Sequence, residues 1–277
     1  MKPGGWTLAG RGVVYLLLLS GAALTLVPVI WLLAATTKGP DDLFHYIFFA
    51  PLNRFTLFNF VELFRKVDFL RYLINSIFVS ATVVTLQLFF SSLAGFALAK
   101  YDFKGKRAVM VLMLATMLIP GQVLLAPLYE LTYRLGLVDT YQGLIIPGAV
   151  SVFGIFLFRQ SMLQVPDELL QAARIDGCSE FRAYWSVIMP VSRPMVGAFC
   201  LITFMGNWNN FLWPQIMLHH SERFTLPIAM NQLMSLYQQE YGPLMAGTFL
   251  SILPVVILFL ALQKEFVAGL TAGAVKG

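Results

Sequence analysis

The chain has 277 residues, of which 58% are hydrophobic and 12% charged, and its formal net charge is +5. An ordinary globular domain carries about 25% charged residues, so this composition excludes a soluble domain and points to an integral membrane protein. The positive charge does not imply nucleic acid, because no basic patch with interleaved aromatics occurs, and Cys178 and Cys200 provide no disulfide framework.

Six uncharged windows reach the roughly 18 residues needed to cross a bilayer. They are Val13 to Thr37, Tyr72 to Ala99, Ala108 to Tyr129, Thr140 to Phe158, Pro194 to Ser221 and Tyr241 to Gln263. They lack the roughly ten-residue alternation of a membrane barrel, which leaves helices as the spanning form. The sequence therefore predicts an all-α protein with six transmembrane helices in one domain over 1–277. The first window, 13–37, is longer than the roughly 7–15 apolar residues of a cleavable signal and is expected to be retained.

Lysine and arginine set the orientation. With the N-terminus in the cytoplasm, twelve of the nineteen lie inside: Lys2, Arg11, Lys100, Lys104, Lys106, Arg107, Arg159, Arg174, Arg182, Arg193, Lys264 and Lys276. The other seven lie outside, five of them between Lys38 and Arg71. Both termini are thus expected in the cytoplasm, with the protein multi-pass in the plasma (inner) membrane.

Between the first two windows, Asn59 to Arg71 predicts an amphipathic surface helix with Phe60, Leu63, Phe64, Val67 and Leu70 on one face. Contact with lipid or with an external partner would both use that face. Breaks are expected inside later windows at Pro120-Gly121, Pro127, Pro147-Gly148, Gly154 and Pro254. Proline frees a backbone carbonyl and kinks a helix. Such kinks are ordinary in membrane helices and are also what a rocking transporter needs.

Val165 to Pro194 is the longest charged interruption in the second half. Pro166, Asp167 and Glu168 suit a helix start, where no amide donor is needed and negative charge meets the positive end of the dipole. Gly177 stops the helix by turning left-handed. Ser179 then caps a second helix, whose Phe181, Tyr184, Trp185 and Ile188 form one apolar stripe. About thirty ordered residues are long for a passive connector, and the competing readings are a solvated link and a docking element.

In the fifth window, Asn207-Trp208-Asn209-Asn210 places three amides deep in the bilayer, where unpaired polar groups are costly. They are expected either to hydrogen-bond between helices or to line a pathway in which amides and indole rings meet a sugar. Gln87, Gln122 and Gln142 are weaker candidates of the same kind. No catalytic set emerges: His45, His219 and His220 have no metal-ligand spacing, and neither His-Glu-x-x-His nor Gly-x-x-x-x-Gly-Lys-Ser/Thr occurs. An active transporter of this sequence binds no ATP through a Walker loop of its own. An ion-coupled carrier would be expected to hold ionisable groups in its spans, and none is there. A membrane anchor for a cytoplasmic complex is a third reading.

Gln171-Ala172-Ala173, Asp176-Gly177 and Ile188-Met189-Pro190 together resemble the Glu-Ala-Ala loop of ABC-importer permeases. The string DELLQAARIDG and the last residues, Gly269 to Gly277, are similar to the carbohydrate-uptake, maltose-transporter branch. Gln171 stands where that family has glutamate and Met189 where it has leucine. The resemblance covers about 71–263 as a permease core, with a tail over 264–277. It implies a coupling helix between spans four and five, on which Glu168, Gln171, Ala172, Ala173, Asp176 and Gly177 meet an ATPase dimer. It also implies a second homologous permease, an external solute-binding protein reached through 219–240, and ATP and magnesium held by the ATPase alone. The tail around Thr271–Gly277 would touch the ATPase as well. The cargo would be a sugar, with glycerol phosphate as the alternative.

Overall fold

The computed structural model describes residues 8–236 and 241–271, which are almost wholly helical and contain no strand. Residues 272–277 of the expected tail over 264–277, and the polar Gln238-Gln239-Glu240, lie outside the described residues. The chain divides into two compact units, Met1–Phe69 with Met230–Ile252, and Leu70–Ala229 with Leu253–Gly277.

In the first unit, α1 (Leu8–Thr36) runs through Pro28 without a break. Leu16 to Leu19 are 63–69% exposed, as side chains facing lipid should be. Its C-terminus is tied by Asn59, whose amide donates to the carbonyls of Ala35 (3.3 Å), Thr36 (3.1 Å) and Lys38 (2.7 Å). Asn59 opens α2 (Phe58–Lys66), and the predicted apolar stripe does not survive there. Val67 is extended, at φ −137° and ψ 149°, so the helix stops before the stripe is complete. Asn59 and Leu63 are buried, whereas Phe64 and Leu70 are exposed. The helix is held by a buried amide and one leucine rather than by an apolar face.

The second unit carries most of the bends. The helices α3 (Phe69–Lys100), α4 (Lys106–Thr116) and α5 (Leu125–Arg134) come first, and α4 and the segment Gly121–Arg134 meet at 89° across Pro120. The fourth window is cut by Pro147-Gly148 into α6 (Tyr141–Ile145) and α7 (Val152–Leu163), capped by the hydroxyls of Thr140 and Ser151. The freed backbone between them is met from α3: Gln87 Nε2 donates to the Gly148 carbonyl at 2.6 Å and Ser91 Oγ to that of Ser151 at 3.1 Å. Pro127 falls in the first turn of α5, where its missing donor is harmless.

Then follow α8 (Asp167–Ile175), α9 (Glu180–Val191), α10 (Arg193–Trp208), α11 (Leu212–Met217) and α12 (Leu226–Leu236). The last helix, α13 (Tyr241–Thr271), contains Pro254 and continues through it. Among the described residues, three helices are each long and apolar enough to cross a membrane: α1, α3 and α13. The third window is a sharply bent helix pair. In the fifth, α10 ends at Trp208 and makes an 81° bend with α9. At about 1.5 Å per residue, twelve-residue α7 is well short of a roughly 30 Å hydrocarbon core.

One end of this unit is closed by Asp139, at a left-handed φ of 60°. Its carboxylate accepts from the backbone amides of His219 (2.9 Å) and His220 (3.2 Å) and pairs with the His220 ring and Arg223. Burial alone would raise its pKa, but these hydrogen bonds and the Arg223 charge prevail and hold it well below the carboxylate range. Asn75 of α3 secures the same loop, donating to the carbonyls of Glu222 and Phe224 at 3.0 Å each.

Candidate functional site: the loop from Val165 to Pro194

The loop is built on a buried cluster containing Phe96, Phe158, Met162, Tyr184, Ile188 and Phe199. Two residues of α8, Leu170 and Ala173, point into this cluster and are 3% and 6% exposed. Glu168, Gln171, Ala172, Asp176 and Gly177 are exposed on the other side. The expected docking set is thus divided. Ala173 is small because α8 lies against its own chain there, and it is not on the outer face. Ile175 is on that face and is 86% exposed, a large apolar side chain at the end of a polar helix.

Gly177 has φ +79° and nothing within 4 Å of a Cβ placed on it, so its identity is set by the turn and not by space. Ser179 Oγ accepts from the Arg182 amide at 3.3 Å and starts α9. The predicted stripe on α9 is not one face. Tyr184 and Ile188 are buried with Ala183, but Phe181 and Trp185 are more than half exposed. At about 100° per residue Tyr184 and Ile188 lie on one edge of the stripe and Phe181 and Trp185 on the other, and only the first edge meets the core; the segment Tyr184–Ile188 is itself a π-helical turn. Inside, Tyr184 Oη lies 2.7 Å from Ser92 Oγ of α3.

A polar clamp joins the loop to the end of α3. Lys100 Nζ, nearly enclosed, donates to the Val165 carbonyl and to Asp167 Oδ1, each at 2.5 Å. The Tyr101 hydroxyl donates to Glu180, and Arg174 grips the same carboxylate through Nε (2.7 Å) and a terminal nitrogen (3.1 Å). The hydrogen bond and charge of Lys100 hold the Asp167 carboxyl below its ordinary value. Hydrogen bonds from Arg174 and then Tyr101 do the same for Glu180. The end of α3, the start of α8 and the start of α9 are therefore one connected piece.

The polar cluster of the fifth window ends α10. Asn207 and Asn209 donate their side-chain amides to carbonyls of their own helix, Thr203 and Met205, at 2.9 Å each. Trp208 is buried and stacks on Phe204, with ring centroids 5.5 Å apart. Asn207 and Asn210 line a cavity of about 20 Å³ with Ser76, Ser80, Trp213 and Thr225. That is room for about one water, and the buried Thr225 hydroxyl has no hydrogen-bond partner among the described residues. Of the weaker candidates, Gln87 is engaged with the Gly148 backbone, while Gln122 and Gln142 are exposed.

Residues 87–270 match the family model of the binding-protein-dependent transport system inner membrane component. The chain belongs to this family. The permease is 38% identical over 260 residues to the arabinooligosaccharides transport system permease protein of Halalkalibacterium halodurans, covering 92% of this chain and 93% of that one. It is 35% identical over 262 residues to the lactose transport system permease protein of Rhizobium radiobacter, with 95% of each chain covered. Its fold matches a chain from a bacterial ABC transporter involved in importing the acidic polysaccharide alginate. The TM-score is 0.83 and the identity 22%, over 95% of this chain and all of the other.

In this permease, sequence reasoning found the loop and its turn but missed the clamp. Lys100 and Tyr101 lie more than sixty positions from their partners, and Arg174 and Glu180 read as ordinary surface charges. The available signal was the polar pair at the end of a long apolar helix, where a cation also complements the helix dipole.

Proposed function

We propose that this permease carries a sugar or short oligosaccharide inward across the membrane, driven by ATP hydrolysis on separate subunits. The observation that carries the reading is the outer face of α8: exposed Glu168, Gln171, Ala172 and Ile175 on a helix whose other face is locked into the protein. An exposed large apolar side chain on a rigid element is what a partner surface buries. An ATPase dimer docks there, with Asp176 and Gly177 at the rim, and ATP and magnesium are held by that dimer. Ala173 acts from behind, by letting α8 sit close to its own core. When the ATPases close, the clamp from Lys100 and Tyr101 to Asp167 and Glu180 passes the displacement to α3. The kinks at Pro120 and Pro147 give the helices places to bend.

A second, related permease completes the pathway, and an external binding protein delivers the cargo. Asn207, Asn209 and Asn210 belong to that pathway at its lining, where the partner permease closes it, and buried Trp208 acts from behind by holding them in place. Arabinooligosaccharide and lactose are the cargoes named for the two relatives, which favours a sugar. Glycerol phosphate is the competing cargo. The six uncharged windows supply no lysine or arginine for its phosphate.

The test is purification of the tagged permease from its native membrane in mild detergent, followed by titration of the recovered binding protein with sugars and with glycerol phosphate. Recovery of an ATPase, a second permease and a sugar-binding partner is the expected result. A permease recovered without an ATPase overturns the importer, and a partner selective for glycerol phosphate overturns the sugar.

A further inference from the structure

Arg159 lies in α7, whose other residues are apolar or uncharged. Its Nε is buried and has no hydrogen-bond partner among the described residues, and its guanidinium makes no ion pair with them. Gly95 of α3 fixes this position. A Cβ there would lie 2.7 Å from Phe158 Cβ and 2.9 Å from the Arg159 amide nitrogen, so α3 and α7 touch backbone to backbone. The Arg159 side chain lines an open hollow of about 510 Å³ together with Asp102, Phe103, Lys106, Arg107 and Met110.

The charges in this hollow do not balance. Lys106 pairs with Asp102 at 3.2 Å and also donates to the Tyr101 carbonyl at 2.8 Å. That leaves Arg107 and Arg159 without a counter-charge among the described residues. A half-buried guanidinium at a membrane protein's edge needs an anion, and its fork of donors matches the oxygens of a phosphate. The apolar part of the lining is Phe103, 45% exposed, and Met110, and beyond it on α4 Val111 and Leu112 are 59% and 67% exposed. In a membrane permease these side chains meet acyl tails. The ligand therefore carries a phosphate at one end and hydrocarbon at the other.

We propose that this hollow binds the headgroup phosphate of an anionic membrane phospholipid, with Arg159 as the deep ligand and Arg107 at the rim. A free phosphate ion would satisfy the same guanidinium groups but would leave the apolar side uncovered. Basic hollows between membrane helices are suited to such headgroups. Because Arg159 shares α7 with Phe158 and Met162 of the core beneath the loop, lipid bound there steadies the helix on which that loop is built.

The test is native mass spectrometry of the assembled, delipidated transporter titrated with phosphatidylglycerol or phosphatidylcholine. The wild-type complex is expected to hold one phosphatidylglycerol more than the Arg159→Gln complex, or to bind it about tenfold more tightly. It should discriminate against phosphatidylcholine, and millimolar inorganic phosphate should not displace the lipid. Arg107→Gln, on the exposed rim, gives the same reading if Arg159→Gln fails to assemble. Equal phosphatidylglycerol retention by wild type and the variant that assembles would overturn the proposal and place the Arg159 counter-charge on a partner chain. Equal binding of phosphatidylcholine, or displacement by inorganic phosphate, would overturn it too.

Discussion

Asn59 is a single buried amide that holds three carbonyls at the end of α1. Replacing it by alanine leaves those acceptors without their donor, and the expected cost is about 1–3 kcal/mol, read as lowered thermal stability of the permease in detergent. Gly177 acts differently. Its surroundings are open and its φ is positive, so Gly177→Ala carries only the left-handed backbone penalty of about 1–2 kcal/mol. Gly177→Asn should be milder than Gly177→Val, a ranking that steric crowding would not produce. Gly177→Trp should insert and fold but assemble poorly with the ATPase, because the indole would stand on the proposed docking face; normal transport by that variant would count against this role. The acidic residues of the clamp set a pH window. The folded values of Asp167 and Glu180 lie below their unfolded ones, near pH 4. Their stabilising contribution is complete above that value and disappears as pH falls through the lower folded values. Hydrogen exchange of 165–180, corrected for intrinsic rate, should be flat from about pH 7 to 5 and rise only below about pH 4.

At the scale of elements, α8 is useful because it is held from behind. Leu170 and Ala173 anchor it in the core, and Lys100 fixes its start. Glu180→Gln, or Lys100→Ala, should leave the loop folded on its apolar cluster but free at its polar attachment to α3. The expected phenotype is ATP hydrolysis with little uptake, measured in reconstituted vesicles; loss of both activities together would mean that the clamp serves assembly instead. The helix start at Pro166, the stop at Gly177 and the cap at Ser179 were legible in the sequence because each depends on backbone chemistry within a few residues. The direction of Ala173 and the exposure of Phe181 and Trp185 were not. A periodic stripe assumes one uninterrupted helix and does not show which of its edges the core will cover, and α9 carries a π turn over Tyr184–Ile188. The same limit applied at α2, where extended Val67 cut short a pattern that looked continuous. The amides of Asn207 and Asn209 were legible as a problem, since polar groups in hydrocarbon need partners. Their solution, i to i−4 bonds to carbonyls of their own helix, is one that composition does not reveal.

At the scale of the molecule, hydropathy identified a multi-pass all-α protein, and family membership agrees with it. It described the helices less well, because a window counts apolar residues and does not register a bend. The third window is a bent pair at 89°, and the fourth is two short helices joined by backbone that Gln87 and Ser91 satisfy. In the fourth window α3 supports the broken helix with polar side chains. Gln87→Leu should therefore lower stability by about 1–3 kcal/mol by stranding the Gly148 carbonyl, with detergent unfolding as the measure. The central claim is that the exposed side of α8 meets a separate ATPase. Its most direct test is a photo-crosslinking amino acid at Gln171, and at Leu170 as the buried control, in the permease expressed with its native partners. The account predicts that position 171 captures an ATPase subunit and position 170 does not. Capture of no ATPase from Gln171, in a membrane where the transporter is assembled and active, would contradict it.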